Sequence, residues 1–570
     1  MLSSKAVDLY LSAAEYQKNW RTILIGELAV TTRSSEDLVH SRVNRINPTK
    51  LLSDPMKDQD SRAWTDVDTS LPYLMRRMEL QDGRISEGCM DEVQFLDELT
   101  AFLISPECQE LLAVHPNQTT AVHFRCPDSW LSWWMWAGEN PDLSSGKWLL
   151  LWRYYVSPQD EKQDYAQIPG PLRRFIDTTR RLQLIREPGQ EVLRPSSASE
   201  QHSHTPVSFP LPGEAQPAKS YTKMHGMSPK KAHEVQCMTT YTSDLLSSLS
   251  RRGTRIQHVV DIGAGQAYVT RALRDKLGLE VLAVDWSPVQ AEGAARREEA
   301  RFEPTKRESV KGSLTYQTLT INKDSLLHVT DEWAAHITSA LSEETIKPLP
   351  VLLLALHACG SLTIDVLRAF CERVKSSETM KWRPVAALIV GCCYNLLKAE
   401  DCTSLTGRNV PLTPNHLQLA AQVPRHWDRT PAAFDEAKLA IRKVAWRALL
   451  EGILSHDVQT RVHPDTSGAR RLGRLNNSTY KSWETFLSVA EKKLERKLTD
   501  VSLDMAMTSR LEVFQLLRCI LGPVIESFLL LDRKVWLRQE LQGTKCSVGL
   551  LNLFDQRRDS ARNVAIVISS

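Results

Sequence analysis

One stretch of the chain constrains its fold more than any other. Residues 258–273 read His-Val-Val-Asp-Ile-Gly-Ala-Gly-Gln-Ala-Tyr-Val-Thr-Arg-Ala-Leu, an apolar run that passes through a glycine-rich turn into a helical pattern. Gly263 and Gly265 permit backbone angles that other residues resist, so the chain can pass close to a ligand there. The helix that follows offers unpaired N–H groups to that ligand. This order predicts the first unit of a parallel α/β sheet with a ligand at its edge.

The same alternation of strand and helix continues from about residue 222. Short runs rich in Val, Leu and Ile, without clean alternation of polar residues, are typical of strands buried on both faces. The predicted strands are 258–262, 281–285, 314–321, 351–357, 385–390, 547–554 and 564–568. The fold class is therefore predicted to be α/β, with a Rossmann-like sheet of seven strands.

Composition divides the chain into five predicted parts. Residues 1–185 form a helical N-terminal domain, and 186–221, rich in Pro, Ser, Gln and Glu, form a disordered linker. Strands one to five lie in a core at 222–396, a helical insertion follows at 397–508, and 509–570 completes the core. The last helix is expected to break at Gly522-Pro523. Five strands, an insertion, a helix and two final strands fit a class I methyltransferase sheet.

Aromatic residues crowd one part of the N-terminal region. They are Trp130, Trp133, Trp134, Trp136, Trp148, Trp152, Tyr154 and Tyr155. A platform that stacks bases is one interpretation, but Lys147 and Arg153 are the only cations on this stretch. A core that packs helices together is the favoured interpretation.

The charge and the cysteine content limit the class of protein to which this chain can belong. Lys+Arg 71 against Asp+Glu 68 gives a formal charge of +3, so net charge alone makes no case for nucleic-acid binding. The 11 cysteines are scattered, which favours reduced thiols and a cytoplasmic or nuclear location. We find no signal-peptide pattern and no apolar run of bilayer length, and expect no membrane partner. The oligomeric state stays open.

Two carboxylates narrow the choice of cofactor. Asp261 precedes the glycine-rich turn, and Asp285 closes the next strand about 20 residues further on, where an acidic side chain can accept both ribose hydroxyls of an adenosine-containing cofactor. NAD would satisfy the same geometry. Asp261 at the strand end suits the amino-acid moiety of S-adenosylmethionine, and the last two strands fit a methyltransferase order. S-adenosylmethionine is therefore the predicted cofactor, with a cofactor-free Rossmann-like domain as the alternative.

Several segments taken together resemble one family. They are Met-His-Gly-Met-Ser-Pro-Lys-Lys-Ala-His-Glu-Val at 224–235, Asp-Ile-Gly-Ala-Gly at 261–265, Leu-His-Ala-Cys-Gly at 356–360, Val-Gly-Cys-Cys-Tyr at 390–394, and short segments at 530–533, 554–555 and 561–563. The combination resembles the methyltransferase-like protein twenty-five family, some of whose members are named ribosomal RNA adenine dimethylase domain-containing proteins. More distantly it is similar to a tRNA 2′-O-methyltransferase group that acts on the acceptor stem. Ala267 departs from the glycine that close relatives commonly carry there.

The acceptor side of the predicted site lacks one familiar motif. Methyltransferases that modify exocyclic amines commonly carry Asn or Asp, Pro, Pro and an aromatic residue after the fourth strand, and no such tetrapeptide occurs here. His357 stands in its place and is a candidate general base. The alternative is a structural histidine at a strand end whose hydrogen bonds are satisfied within the protein. Tyr394 is the second candidate catalytic residue.

The first segment of the resemblance supplies further candidates. Ser228 can cap a helix that begins at Pro229. The resemblance implies that this segment closes over the cofactor or the substrate, with Lys231 and His233 as cofactor-binding residues. A solvated helix start is the alternative.

Three cysteines accompany His357 at the ends of neighbouring strands. Cys359, Cys392 and Cys393 with His357 could form a small metal site. Adjacent residues of a strand point to opposite faces, however, so Cys392 and Cys393 should diverge. We predict small buried cysteines and no metal.

The predicted function is methyl transfer from S-adenosylmethionine to a macromolecule, with RNA ahead of protein. A protein methyltransferase is the rival, and the near-neutral charge balance is in its favour. A catalytically silent scaffold that binds the cofactor is the third reading. Basic residues at 470–474 and 492–493 in the insertion could meet phosphate or form a solvated face.

Overall fold

The computed structural model describes residues 87–121, 123–141, 146–160, 164–186, 227–299, 312–339, 347–376, 380–402, 404–460, 472–498, 501–557 and 561–570. Residues 1–86 of the predicted N-terminal domain lie outside this part of the chain, and so does the predicted linker apart from residue 186. The five domain boundaries therefore stay predictions.

All seven predicted strands are present in one sheet. They are β1 (His258–Ile262), β2 (Glu280–Asp285), β3 (Leu314–Thr318), β4 (Leu349–Cys359), β5 (Trp382–Cys392), β6 (Ser547–Asn552) and β7 (Val564–Ser569). Their order across the sheet is β3-β2-β1-β4-β5-β7-β6. β7 runs antiparallel to both of its neighbours, while β1 to β5 pair in parallel. The predicted fold class is confirmed.

Helices surround the sheet and fill the predicted insertion. In chain order they are α1 (Glu87–Leu103), α2 (Pro106–Ala113), α3 (Leu131–Gly138), α4 (Lys147–Val156), α5 (Gly170–Arg181), α6 (Pro229–Arg251), α7 (Tyr268–Leu277), α8 (Pro288–Glu299), α9 (Lys323–Ser339), α10 (Leu362–Lys375), α11 (Pro414–Leu417), α12 (Pro431–Thr460), α13 (Trp483–Leu494) and α14 (Met505–Glu540).

Alternate residues of the strands enter two separate cores. Val260 and Leu353 belong to a large cluster that also contains residues of α9, α10 and α14, whereas Val259 and Leu352 belong to a cluster with residues of α6 and α7. Both faces of the sheet are therefore covered, which is why its strands carry apolar side chains on both sides. Because both faces are covered, a ligand can reach the sheet only at the ends of its strands.

The N-terminal helices share the larger core with the sheet. The eight aromatic residues predicted to pack helices together are all buried, which confirms that interpretation. The ring of Trp130 lies 5.0 Å from that of Phe514 on α14, centroid to centroid, and the indole of Trp152 donates to the carbonyl of Pro424 at 2.8 Å. These helices thus pack directly against the helix that precedes β6.

The expected break at Gly522-Pro523 is wrong, because α14 continues through Pro523. Proline removes one N–H donor, but α14 is buried along nearly its whole length, and packing outweighs that loss. Gly522 allows the closest contact: a Cβ there would lie 2.0 Å from the carbonyl oxygen of Leu419. Glycine at this position therefore allows the backbone of α14 to lie close to the backbone at Leu419.

The expectation that no segment reaches bilayer length also needs correction. Among the described residues, α14 is long and apolar enough to cross a membrane by length and composition, with a mean hydropathy of 1.7 in its most apolar window. Within the structure, 94% of that window is buried. Buried core helices pass the same test of length and composition.

Replacing Gly522 with alanine should destabilise the protein. Alanine normally stabilises a helix interior by about 1 kcal/mol relative to glycine. Here the new methyl group would overlap a backbone carbonyl, so we expect a net loss of about 1–3 kcal/mol in the free energy of unfolding, measured by chemical denaturation. The control is Gly170→Ala, where the Cβ would lie 3.6 Å from Arg174 Nη1. Equal stability of the two variants would contradict the proposed role of Gly522.

Candidate functional site

The glycine-rich turn after β1 is attached to the end of β2. The N–H groups of Gly263 and Ala264 donate to the carbonyl of Val284 at 2.8 and 3.1 Å. Gly263 has φ of 72° and Gly265 has φ of 54°, the left-handed region that glycine adopts without strain. A Cβ at Gly265 would meet nothing within 4 Å, so open space lies beside this backbone. The predicted binding turn has the geometry that its glycines required.

Ala267 shows what the departure from glycine costs. Its φ is 58°, a conformation that disfavours residues with a Cβ by about 1–2 kcal/mol. Its methyl group is fully buried, and burying one methyl group stabilises by about 0.8 kcal/mol. The two terms nearly cancel, which explains how alanine is tolerated at the N-cap of α7.

Asp285 closes β2 beside the turn. Its Oδ2 accepts from the N–H of Gly265 at 2.8 Å, and its Oδ1 accepts from the N–H of Ser287 at 2.9 Å. Burial raises the pKa of Asp285, and these backbone hydrogen bonds oppose the rise. Each carboxylate oxygen can accept more than one hydrogen bond. The carboxylate is therefore held rigidly and retains capacity for the ribose hydroxyls.

Trp286 follows Asp285 and was missed by the sequence analysis. Its side chain is 52% exposed, unlike the tryptophans of the N-terminal helices. The signal was an aromatic residue directly after the acidic residue at a strand end. An exposed indole beside a ribose-binding carboxylate can cover the face of a purine.

Asp261 lies deeper in the site. Its side chain is nearly fully buried, and its Oδ2 accepts from the hydroxyl of Thr270 on α7 at 2.5 Å. Burial raises the pKa of Asp261 to about 6, although the hydroxyl of Thr270 and the charge of Lys231 pull it down. The ammonium group of Lys231 is thus near this carboxylate, as the predicted cofactor role requires.

The start of α6 brings three charged groups together. Ser228 caps the helix as predicted, accepting from the N–H of Lys231 at 3.3 Å. Burial lowers the pKa of Lys231, while Glu234 and Asp261 oppose that shift. Glu234, which the sequence analysis passed over, lies within 3.1 Å of His357 through Oε2 and Nε2. The charged side chains of Lys231 and Glu234 therefore lie together with the imidazole of His357, against Asp261.

The pair of Glu234 and His357 has a defined proton arrangement. Burial raises the pKa of Glu234, but the hydrogen bond to His357 and the nearby lysines outweigh it and leave the pKa below its ordinary value. Burial lowers the pKa of His357 more than Glu234 raises it. An ionised carboxylate only accepts, so Nε2–H of neutral His357 donates to Glu234. Nδ1 then carries the lone pair.

Two other predicted site residues contact different groups. The ring of His233 contacts Sγ of Cys237 one turn later on α6, at 3.7–3.8 Å, and two residues along a helix place it on the far side from Lys231. The hydroxyl of Tyr394 lies 3.3 Å from Oε1 of the buried Glu526, and its ring lies under the guanidinium of Arg533. None of these contacts involves the glycine-rich turn, and the functional roles of both residues stay predictions.

The expectation that Cys392 and Cys393 diverge is wrong. Their sulfur atoms and that of Cys359 all lie within 4.8 Å of one another. β5 ends at Cys392, and Cys393 has φ of 48°, so the alternation of a strand no longer applies to it. The basis for expecting no metal therefore fails, although the absence of a metal itself stays untested.

These residues fit the predicted cofactor. Open space beside Gly265, a rigid carboxylate at Asp285 and an exposed indole at Trp286 suit the adenosine moiety. Lys231 and Asp261 supply opposite charges for the carboxylate and ammonium groups of an amino-acid moiety. The sheet order with its antiparallel seventh strand and this site define a class I methyltransferase domain.

Comparison with known proteins agrees with that class. Residues 230–400 match a family model described as a methyltransferase domain. The chain is 28% identical over 218 residues to the probable methyltransferase-like protein 25 of Mus musculus, covering 36% of this chain and 35% of that protein. It is 27% identical over 203 residues to the protein of the same name from Homo sapiens, covering 33% and 32%.

The resemblance to the methyltransferase-like protein twenty-five family is confirmed by these relatives, and the matched segment spans about a third of their length. The link to the tRNA group stays a prediction. A crystal structure of the plantazolicin methyltransferase BamL, in complex with a triazolic desmethylPZN analog and SAH, is 14% identical, with a TM-score of 0.16 and coverage of 47% of this chain and 79% of that chain. A TM-score this low supports no inference.

Asp261→Asn should stabilise the protein in a manner that depends on pH. The pKa of this carboxyl group rises from 3.8 to about 6 on folding. Its contribution to the free energy of unfolding is therefore fully present below pH 3.8 and is lost as the pH rises through 6. Asparagine has a similar shape and no charge. We therefore expect the variant to exceed the parent in free energy of unfolding by roughly 2–4 kcal/mol at neutral pH.

Chemical denaturation between pH 4 and pH 8 measures this difference, which should shrink towards the acid end. Lys231, Asp285, Tyr316 and Thr270 face Asp261 and are unchanged in the variant. Asp435→Asn, at a side chain that is 74% exposed, is the control and should show little effect. A difference independent of pH would contradict the pKa shift.

Proposed function

We propose that this chain transfers a methyl group from S-adenosylmethionine to a macromolecular acceptor, and that the acceptor is RNA. One observation carries the proposal. The carboxyl ends of β1, β2 and β4 gather Asp261, Asp285 and His357, and α6 adds Lys231 and Glu234. In open parallel sheets, ligands bind in the crevice at these strand ends.

Each part of the cofactor has a residue to hold it. S-adenosylmethionine, when bound, supplies a methyl group on a positively charged sulfur. Asp285 accepts the ribose hydroxyls, Trp286 covers the purine, and the turn at Gly263 and Gly265 allows the backbone to approach. Lys231 and Asp261 orient the amino-acid moiety. A fixed orientation at near-attack distance is the main contribution that a protein makes to such a transfer.

His357 takes the proton that the acceptor must lose. Glu234 accepts from Nε2–H, which fixes the ring and leaves Nδ1 as the base. A positioned general base contributes about 10²–10⁴-fold to rate. His357 thus acts on the acceptor, and Glu234 acts through His357 as a positioning residue.

A basic surface in the insertion supports RNA as the acceptor. Arg474, Lys492 and Lys493 are exposed, and Lys493 donates to the carbonyl of Arg474 at 2.8 Å. Burial lowers the pKa of nearby Lys443, and the positive charges of Arg447 and Arg474 lower it further. Lys443 itself is buried and donates to Asn477, so the exposed cations Arg474, Lys492 and Lys493 are the ones available to phosphate. Residues 470 and 471 of the predicted basic run lie outside the described residues.

The proposed compartment is the cytoplasm or the nucleus. The cysteines in the described ranges are free thiols, which supports a reducing environment.

The cofactor assignment is tested by binding. Asp285→Ala removes charged hydrogen bonds and should weaken the affinity for S-adenosylmethionine by about 1.5–3 kcal/mol in calorimetry, with the fold intact. Asp435→Ala, at an exposed position, is the control.

The parent protein should be stabilised by S-adenosylmethionine and not by NAD, because Lys231 and Asp261 match an amino-acid moiety. Equal stabilisation by NAD would overturn the assignment.

The acceptor and the role of His357 are tested by transfer of labelled methyl groups. Extract from cells that lack the protein is the acceptor, and digestion with RNase or protease identifies the labelled class. Single-turnover rates should fall by about 10²-fold or more for His357→Ala and by less for Glu234→Gln, with unchanged cofactor affinity. A parent-like rate for His357→Ala would make His357 a structural residue.

The basic surface gives a second arm of this experiment. Arg474→Glu with Lys492→Glu should lower transfer to RNA and weaken its salt dependence, leaving cofactor binding unchanged. Arg181→Glu, at a side chain that is 58% exposed on α5, is the control. Label that resists RNase and yields to protease would identify a protein methyltransferase, and cofactor binding without any labelled acceptor would favour the scaffold.

A further inference from the structure

Three cysteine sulfurs converge at the end of β4 and β5. Sγ of Cys359 lies 3.2 Å from Sγ of Cys392 and 3.5 Å from Sγ of Cys393. Among the described residues they are the group of potential metal ligands whose donor atoms all lie within 4.8 Å of one another. Three soft donors at this separation match the first coordination sphere of a thiophilic cation.

The backbone is built to bring these sulfurs together. Cys359 and Cys392 are register partners on adjacent parallel strands, and the N–H of Gly360 donates to the carbonyl of Cys392 at 2.9 Å. Gly360 has φ of 55°, and a Cβ there would lie 2.4 Å from the carbonyl oxygen of Leu396. The turn after β4 is therefore pressed against the segment after β5, which carries the third cysteine.

Cys393 is held in an unusual conformation. Its φ of 48° and ψ of 52° are left-handed, a conformation that is unfavourable for a residue with a Cβ. Such strain persists only where the surroundings impose it, and it clusters at functional sites. An extended Cys393 would point away from Cys359, so the strained backbone is what makes the third ligand available.

Positive charge flanks the cluster. Lys231 interacts electrostatically with Cys359 and Cys392, and Arg562 interacts with Cys359 and Cys393. Three thiolates and one divalent cation carry one net negative charge. A single flanking cation balances that charge in a place where an isolated charge would be costly, and Lys231 also lies beside Glu234 and Asp261.

We propose that Cys359, Cys392 and Cys393 bind a zinc ion through three thiolates. Zn–S bonds of about 2.3 Å in a tetrahedral site separate the sulfurs by about 3.8 Å. The separations of 3.2 Å between Cys359 and Cys392 and 3.5 Å between Cys359 and Cys393 would therefore open by about 0.6 and about 0.3 Å. Binding releases the thiol protons to solvent and transfers no electrons. Three protein ligands leave a fourth position for water or an acceptor atom, the arrangement of catalytic rather than structural zinc.

The proposal is tested on the full-length, untagged chain purified under reducing conditions. Elemental analysis should find about one zinc per chain. Replacement by Co²⁺ should give the thiolate-to-cobalt charge-transfer band and the visible bands of a tetrahedral site. Neither readout depends on methyl transfer, so the zinc site and the proposed function can fail separately.

Variants assign the ligands. Cys359→Ser, Cys392→Ser and Cys393→Ser should each reduce zinc content to about a tenth of the parent or less. Cys546→Ser, at a half-buried cysteine outside the cluster, should retain zinc. Circular dichroism checks that each variant is folded. If a variant does not fold, the cobalt spectrum of the parent protein tests the metal site instead.

Two results would overturn the proposal. The first is a folded parent chain that binds neither Zn²⁺ nor Co²⁺ while all three thiols react with a thiol reagent. The second is a disulfide between Cys359 and Cys392 in the reduced preparation, detected by mass spectrometry of peptides, with no metal present.

Discussion

The backbone N–H groups of Gly263, Ala264 and Gly265 all donate to the last residues of β2, and the candidate site depends on this attachment. The hydrogen bonds to Val284 hold the turn in place, and the one to Asp285 fixes the carboxylate at the same time. One set of contacts thus positions both the backbone of the turn and the carboxylate that we propose binds the ribose. Pre-organisation of this kind avoids ordering the turn when the ligand binds.

A balance of buried charges governs the acceptor side. Lys231 lies between Glu234 and Asp261, and Glu234 also binds His357. Each charge in this group would be costly to bury alone, and each has an opposite charge beside it. The imidazole of His357, our proposed base, is therefore oriented by a residue from α6, an element that precedes the sheet in the chain. The cysteines of β4 and β5 border the same group and share its compensating cations.

A second buried charged group attaches the N-terminal region to the end of the sheet. Glu526 on α14 forms an ion pair with Arg186 at 2.9 Å and also meets the hydroxyl of Tyr394. Breaking a buried pair of this kind leaves an uncompensated charge, which costs about 3–5 kcal/mol. Arg186 lies at the end of the N-terminal helices and Tyr394 follows β5. The helices, α14 and the sheet are therefore coupled, and Tyr394 has a structural partner whatever its role in chemistry.

Sequence alone was enough to predict the strands, the sheet class, the glycine-rich turn and the cap at Ser228. These features follow from local patterns: apolar runs of strand length, glycines where φ is positive, and a serine before proline at a helix start. Sequence alone did not reveal that α14 continues through Pro523, that Glu234 binds His357, or that Cys359, Cys392 and Cys393 converge. Each of these depends on residues far apart in the chain, since Glu234 and His357 are 123 positions apart. Local pattern carries no information about which distant side chains meet, because the packing of α6 and α14 against the faces of the sheet determines that.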